Sequence, residues 1–213
     1  MIRMGVFHRA TIVPNKVDLI TAWIPTRPWG PTSAGPIEMI GTYRIDDPNG
    51  RVGMEVFLIR AQDILMQVPL SYRDEPLDGA ADALITEMRH SVLGNRWVYD
   101  GLRDPLFVMM LAAVAMTGQG EALGMTEYDG RWYIAPTNVR IQGGGWTQER
   151  VPIDCFNLES DDADASVLRN DQFELTLYRR PVPGVRSAMA LSATWDDRDD
   201  RDDDVILAAV RKR

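Results

Sequence analysis

The apolar positions of the chain change period twice, dividing it into strands, then helices, then strands again. "IEMIGTYRI" (37–45) and "RVGMEVFLIR" (51–60) flank "DDPNG", which puts Pro48 and Asn49 at central turn positions and leaves Gly50 to take positive φ. The pattern predicts a hairpin, with Val52, Met54, Val56 and Leu58 on one face by period two. "ILMQVPLSYR" (64–73) continues the meander, and Pro69 predicts an edge or a bulge. From Ala81 the apolar residues fall at Ala81, Leu84, Ile85, Met88 and Val92, which predicts a helix starting near Asp78-Gly79 and stopping near Gly94. A second helix is predicted from Asp104-Pro105 through Met116, because Asp104 suits the cap and Pro105 the first helical position. Its run "LFVMMLAAVAM" has no polar side, so it must be covered all round.

Strand patterns then return. "GMTEYDGRWYIAP" (124–136) predicts a hairpin about Asp129-Gly130, followed by "NVRIQ", "QFELTLYRR", "SAMALSATW" and "VILAAVRKR". In "FELTLY", Phe173, Leu175 and Leu177 alternate with Glu174, Thr176 and Tyr178, as a half-buried strand requires. The expected fold class is α+β: a mainly antiparallel sheet packed on two central helices, followed by a further antiparallel β portion. A single domain over 1–213 is expected, with a division into 1–120 and 121–213 as the alternative. The proline- and glycine-rich "WIPTRPWGPTSAGP" (23–36) reads either as an ordered loop pinned by Trp23 and Trp29 or as a flexible cover.

Composition narrows the function classes. The chain is 45% apolar, enough at 213 residues for a full core. Its net charge of −8 argues against nucleic acid or an anionic membrane as partner, since both need a clustered basic surface. Cys155 is the only cysteine, so no intrachain disulfide can form. The longest apolar run is 106–116, whereas a membrane span needs about 20 residues. With no secretory h-region in "MIRMGVFHRATIVP", a soluble cytoplasmic protein is expected.

Each candidate for chemistry has a plainer reading. Cys155 could be a nucleophile only with His8 or His90 as base, and "VPIDCFNL" reads as the edge of a buried strand, so a structural cysteine is expected. "DDRDDRDDD" (196–204) lacks the central glycine and late glutamate of a calcium loop and reads as a solvated loop. "QGGGW" (142–146) lacks the lysine of a phosphate cradle and reads as a turn. No catalytic residue, metal or cofactor is expected. The strip "EMRHSVLGNRWVYDGLRDP" (87–105) reads as the joint between the two helices, covered by Trp97, Val98 and Tyr99, with Asp100 paired to Arg96 or Arg89. His90 lies opposite the apolar stripe, which leaves His90, with Arg96, Trp97 and Tyr99, as the partner- or ligand-binding candidates.

The stretch "QVPLSYRDEPLDGAADALITEMRHSVLGNRWVYDGLRDP" (67–105) resembles the characteristic segment of the maltokinase N-terminal cap domain. The likeness extends to "HRATIVPNKVDLITAWIP", to "GTYRIDDPNGRVGMEVFLIRA" and to the closing "LSATWDD" and "VILAAVRKR". It implies a cystatin-like sheet curved around a helix, placed ahead of a two-lobed sugar kinase. Kinase lobes would carry a catalytic aspartate, a metal-binding aspartate and a nucleotide-clasping lysine. Neither "HRA" nor "HSV" opens a catalytic loop, and Lys16 and Lys212 are the only lysines. The expectation is therefore a non-catalytic interaction or regulatory module linked to maltose, trehalose or α-glucan metabolism. Its expected partner is a separately encoded kinase or glucan-metabolising enzyme. A small-sugar binder using Trp23, Trp29, Trp97 and Trp146 is the alternative, and an enzyme working through its carboxylates is the third reading.

Overall fold

A computed structural model describes residues 5–6, 10–33, 35–145, 151, 153, 155–184, 188–195 and 205–213. In chain order the elements begin with β1 (Gly5–Val6), β2 (Ile12–Val13), α1 (Lys16–Trp23), β3 (Ile37–Ile45), β4 (Gly53–Ala61) and β5 (Ile64–Arg73). Next come β6 (Leu84–His90), β7 (Gly94–Asp100), α2 (Pro105–Thr117), β8 (Gly124–Tyr128), β9 (Arg131–Ile134) and β10 (Val139–Gly143). The last five are β11 (Asn157–Asp161), β12 (Ala165–Arg169), β13 (Phe173–Pro183), β14 (Ala190–Trp195) and β15 (Val205–Lys212). Two antiparallel sheets of six strands form the body, in the orders β2-β6-β7-β5-β4-β3 and β10-β14-β15-β13-β12-β11. A smaller sheet, β1-β8-β9, stands beside them.

The β3–β4 hairpin forms as its pattern predicts. Gly50 N–H donates to Asp47 O at 2.9 Å around Pro48 and Asn49, and Gly50 has φ +68°. The carboxylate of Asp47 accepts the N–H groups of Asn49, Arg51 and Val52, which fixes the turn. β4 is apolar on both faces because both are covered. Val52, Met54, Val56 and Leu58 enter the main core, while Phe57, Ile59 and Ala61 meet α1 and its following loop on the outer face. Pro69 lies in a central strand, but β7 pairs with β5 only from Leu70 onward. The missing N–H of Pro69 therefore falls where the strand has one neighbour, and the edge condition is met locally.

α2 is capped as its sequence requires. Asp104 accepts the N–H of Leu106 at 3.0 Å, Pro105 opens the helix, and Gly118 closes it at φ +68°. The Arg73 guanidinium grips the fully buried Asp104 carboxylate through two bonds, at 2.8 and 2.6 Å. Phe107, Leu111 and Ala115 have no exposure, as a helix apolar on all sides demands. α2 is packed against β3 from the first sheet and β10, β14 and β15 from the second, and one apolar cluster joins both sheets to it.

The expected pair of central helices becomes one. Residues 84–100 form the β6–β7 hairpin, not a helix and a joint. The helical spacing was a coincidence of three local features: a 3-10 turn at Ala81–Ala83, a bulge between Leu84 and Thr86, and a loop at 91–93. Three of the five stripe residues, Ala81, Leu84 and Val92, are exposed. Gly94, taken as a helix stop, instead takes φ +77° after the three-residue loop, as such hairpins require. The second helix present is α1, on the outer face. Asn15 caps it by accepting the N–H of Asp18 at 2.9 Å, and Leu19 and Ile20 are its buried residues. Strands β11 and β12 were also not anticipated.

Candidate functional site

The β8–β9 hairpin turns on Asp129 (φ +50°) and Gly130 (φ +68°), two successive positive φ values that match the twist of the strands. Its register pairs Met125 with Ile134, Thr126 with Tyr133, Glu127 with Trp132, and Tyr128 with Arg131. Met125, Glu127, Trp132 and Ile134 thus share one face, and Thr126, Tyr128, Arg131 and Tyr133 the other. Both faces carry exposed side chains among the described residues. Ile134 is 74% exposed, Tyr128 59%, Trp132 50% and Tyr133 45%, and Leu123 leads into the hairpin exposed as well. Single exposed apolar residues are ordinary, but a contiguous group on one projecting element marks a contact surface. "RWYI" carried the legible signal: three bulky apolar residues in succession on a strand cannot all face one core.

At the hairpin's base lies a shallow cleft of about 190 Å³, bordered by Thr42, Arg44, Glu121, Gly124, Thr137 and Asn138. Pockets that enclose small organic ligands run to roughly 300–1,000 Å³, so this one is undersized for a sugar. Among the described residues no tryptophan borders it. Trp23 and Trp29 pack edge to face at 5.5 Å, which pins the described part of the 23–36 loop. Trp29 is buried and lies beneath the Arg179 guanidinium, 4.1 Å from its ring centre. Trp97 is half-buried, and Trp146 lies outside the described residues.

The densest polar cluster is structural. Arg179 Nε donates to Ser166 Oγ at 2.7 Å and to Asp161 Oδ1 at 3.2 Å, and Nη2 donates to Asp161 Oδ1 at 3.0 Å. Trp29 Nε1 donates to the other oxygen of Asp161 at 3.1 Å. Burial lowers the Arg179 pKa from its ordinary value, opposed by the carboxylates of Asp100 and Asp161. Burial raises that of Asp100, opposed by Arg179 and by the Leu102 N–H that it accepts. The cluster binds the 23–36 loop and the end of β7 to β11, β12 and β13.

The four sequence candidates do not form one patch. By register His90 and Arg96 lie on the face of β6–β7 that carries Met88, whereas Trp97 and Tyr99 lie on the opposite face. His90 has local work: its Nδ1 accepts the N–H groups of Val92 and Leu93 at 3.2 and 3.0 Å, closing the loop. Those bonds contradict the expectation that His90 has no structural duty in the strip. Tyr99 is buried and its hydroxyl accepts the Leu77 N–H. Asp100, expected to pair with Arg96 or Arg89, instead caps the turn at Gly101–Arg103 through the N–H of Leu102 at 3.1 Å. Cys155 is exposed and free, not buried at a strand edge.

The glycine run has a packing reason. A Cβ on Gly143 would lie 2.0 Å from Val114 O, and one on Gly145 2.2 Å from Met116 O. Gly145 N–H donates to Ala115 O, so the run seats the chain against the carbonyl end of α2, which repels anions. His8 and the acidic stretch 196–204 lie outside the described residues. Among the described residues no group of three or more His, Cys, Asp or Glu side chains is placed to hold a metal, and no helix is long and apolar enough to cross a membrane.

This is a mainly antiparallel α+β protein whose most distinctive described surface is a hairpin of exposed apolar side chains. Residues 23–104 match the family model of the maltokinase N-terminal cap domain. The match runs from the end of α1 through the first sheet to the cap of α2. No curated protein matches the chain.

Proposed function

We propose that the chain is a non-catalytic interaction module that docks, through the β8–β9 hairpin, on a separately encoded enzyme of maltose, trehalose or α-glucan metabolism. The observation that carries the reading is the hairpin's cluster of exposed Tyr128, Trp132, Tyr133 and Ile134. Its cap-like segment 23–104 supports a sugar-kinase connection, because that domain's name ties it to maltokinase. The small cleft weighs against a sugar-binding role, and Trp23, Trp29 and Trp97, three of the tryptophans proposed to stack a sugar, do not border it.

The test is binding between the purified chain and a purified maltokinase or α-glucan enzyme from the same source. The wild type should form a complex by size-exclusion chromatography with light scattering. The double variant W132S/I134S removes two exposed apolar side chains and should keep its melting temperature but bind at least about ten-fold more weakly, as loss of an aromatic anchor does. Equal binding by the variant would overturn the hairpin's role. A maltose- or trehalose-dependent rise in melting temperature, unchanged in the variant, would favour the sugar-binding alternative.

A further inference from the structure

We infer that β9 is an open docking edge that accepts an extended segment of another protein as an added strand, and that this segment combines apolar side chains with basic ones. The inference rests on the interaction reading and specifies how the partner is held. Ala135 N–H donates to Gly124 O at 2.9 Å, which makes Ala135 and Gly124 a hydrogen-bonded pair. Such pairs alternate along an antiparallel ladder, so Tyr133 and Arg131 also turn their backbone groups toward β8. Trp132 and Ile134 therefore point their N–H and C=O groups outward, away from β8. Among the described strands β9 is the edge of its sheet, and nothing pairs with that side.

The residues with the outward backbone also present their side chains on one face, beside Met125 and Glu127. An incoming strand would meet two N–H donors, two carbonyl acceptors, a tryptophan, an isoleucine and a carboxylate. Edge strands are normally blunted by proline, bulges or charge. β9 has no proline or bulge, and its single charge, Arg131, sits at the turn on the opposite face. The geometry is that of strand addition, in which backbone bonds give affinity and alternate side chains give selectivity.

Charge selects the occupant. A second copy would bring two chains of net charge −8 together along a seam of four residues. That seam is far below the roughly 800 Å² per partner of a stable interface. On the hairpin itself the exposed acids Glu127 and Asp129 outnumber Arg131. A segment carrying lysine or arginine complements this surface, and an acidic one is repelled.

Two short synthetic peptides with the same alternating valine and isoleucine side, one with lysines and one with glutamates between, provide the probe. Against the full chain, the lysine peptide should bind about ten-fold tighter or more. It should slow hydrogen exchange at the Trp132 and Ile134 amides relative to those of Arg131 and Tyr133, and I134P should abolish its binding. Binding that leaves the Trp132 and Ile134 amides unprotected would overturn strand addition while leaving the interaction reading intact. Equal or absent binding of the two peptides would overturn the partner chemistry. Self-association that protects the same two amides would make a second copy the occupant and overturn the proposal.

Discussion

Arg179 shows how much one side chain can hold. It has no exposed surface, sits on Trp29, and bonds Asp161 and Ser166, so it carries the contact between the 23–36 loop and the second sheet. A buried pair adds little over a well-packed apolar substitute, but removing one partner leaves an uncompensated charge. R179M should cost about 3–5 kcal/mol in denaturant unfolding. The double variant R179M/D161N should lose clearly less than the sum of the two single losses, because both remove the same pair. Strict additivity would show that the pair is not coupled. Sequence reading had no access to this residue. Its place depends on a bulge, where Leu177 pairs with Ala208 and the next match is Val182 with Ile206, so residues 178–181 face a single residue of β15. The misreading of Cys155 is of the same kind: Phe156 beside it is buried, and composition alone does not separate two neighbours.

Among elements, those fixed by local rules were legible. The β3–β4 turn, the Asp104-Pro105 cap and the Asp129-Gly130 hairpin each follow from a few adjacent residues. The β6–β7 hairpin was not, because its bulge shifts the side-chain phase and mimics a helical repeat. The glycine run at 143–145 was legible as unusual but not as packing, since its partners Val114 and Met116, at the end of α2, lie far outside the local window in sequence. G143A tests that packing. Its Cβ would meet backbone atoms, Val114 O at 2.0 Å and Val114 C at 3.0 Å, and neither can rotate away. The expected loss is about 2–4 kcal/mol, in the range of severe overpacking. G35A, where a Cβ meets nothing within 4 Å, should stay within about 0.5 kcal/mol of wild type. Comparable losses at both positions would show that Gly143 is not a contact point.

At the scale of the whole molecule the question is what fixes one six-stranded sheet on the other. Apolar area holds them together without setting their register, and Gln67 supplies the missing specificity. It is a lone amide in the apolar run of β5, with no exposure. Its Nε2 donates to Tyr178 O at 2.8 Å and to Leu207 O at 2.9 Å, and its Oε1 accepts the Tyr43 hydroxyl at 2.9 Å. Tyr178 and Leu207 flank the gap where the β13–β15 ladder is interrupted, so the amide of one sheet stands in for the strand pairing that the other lacks. The odd polar residue in "ILMQVPL" was visible in the sequence, but both of its carbonyl partners lie more than a hundred residues away. Q67M keeps the volume and leaves two carbonyls and one hydroxyl buried without partners. Each such group costs about 1–3 kcal/mol, so the variant should lose about 3 kcal/mol or more. Q67E keeps an acceptor for Tyr43 but sets a carboxylate against two carbonyl oxygens, so at neutral pH it should be at least as damaging. Protonation turns that side chain into a donor, and part of the lost stability should return as the pH falls. Melting temperatures of the three proteins from pH 8 to pH 5 would show it. Wild-type stability in Q67M would mean that the sheets are registered by apolar packing alone.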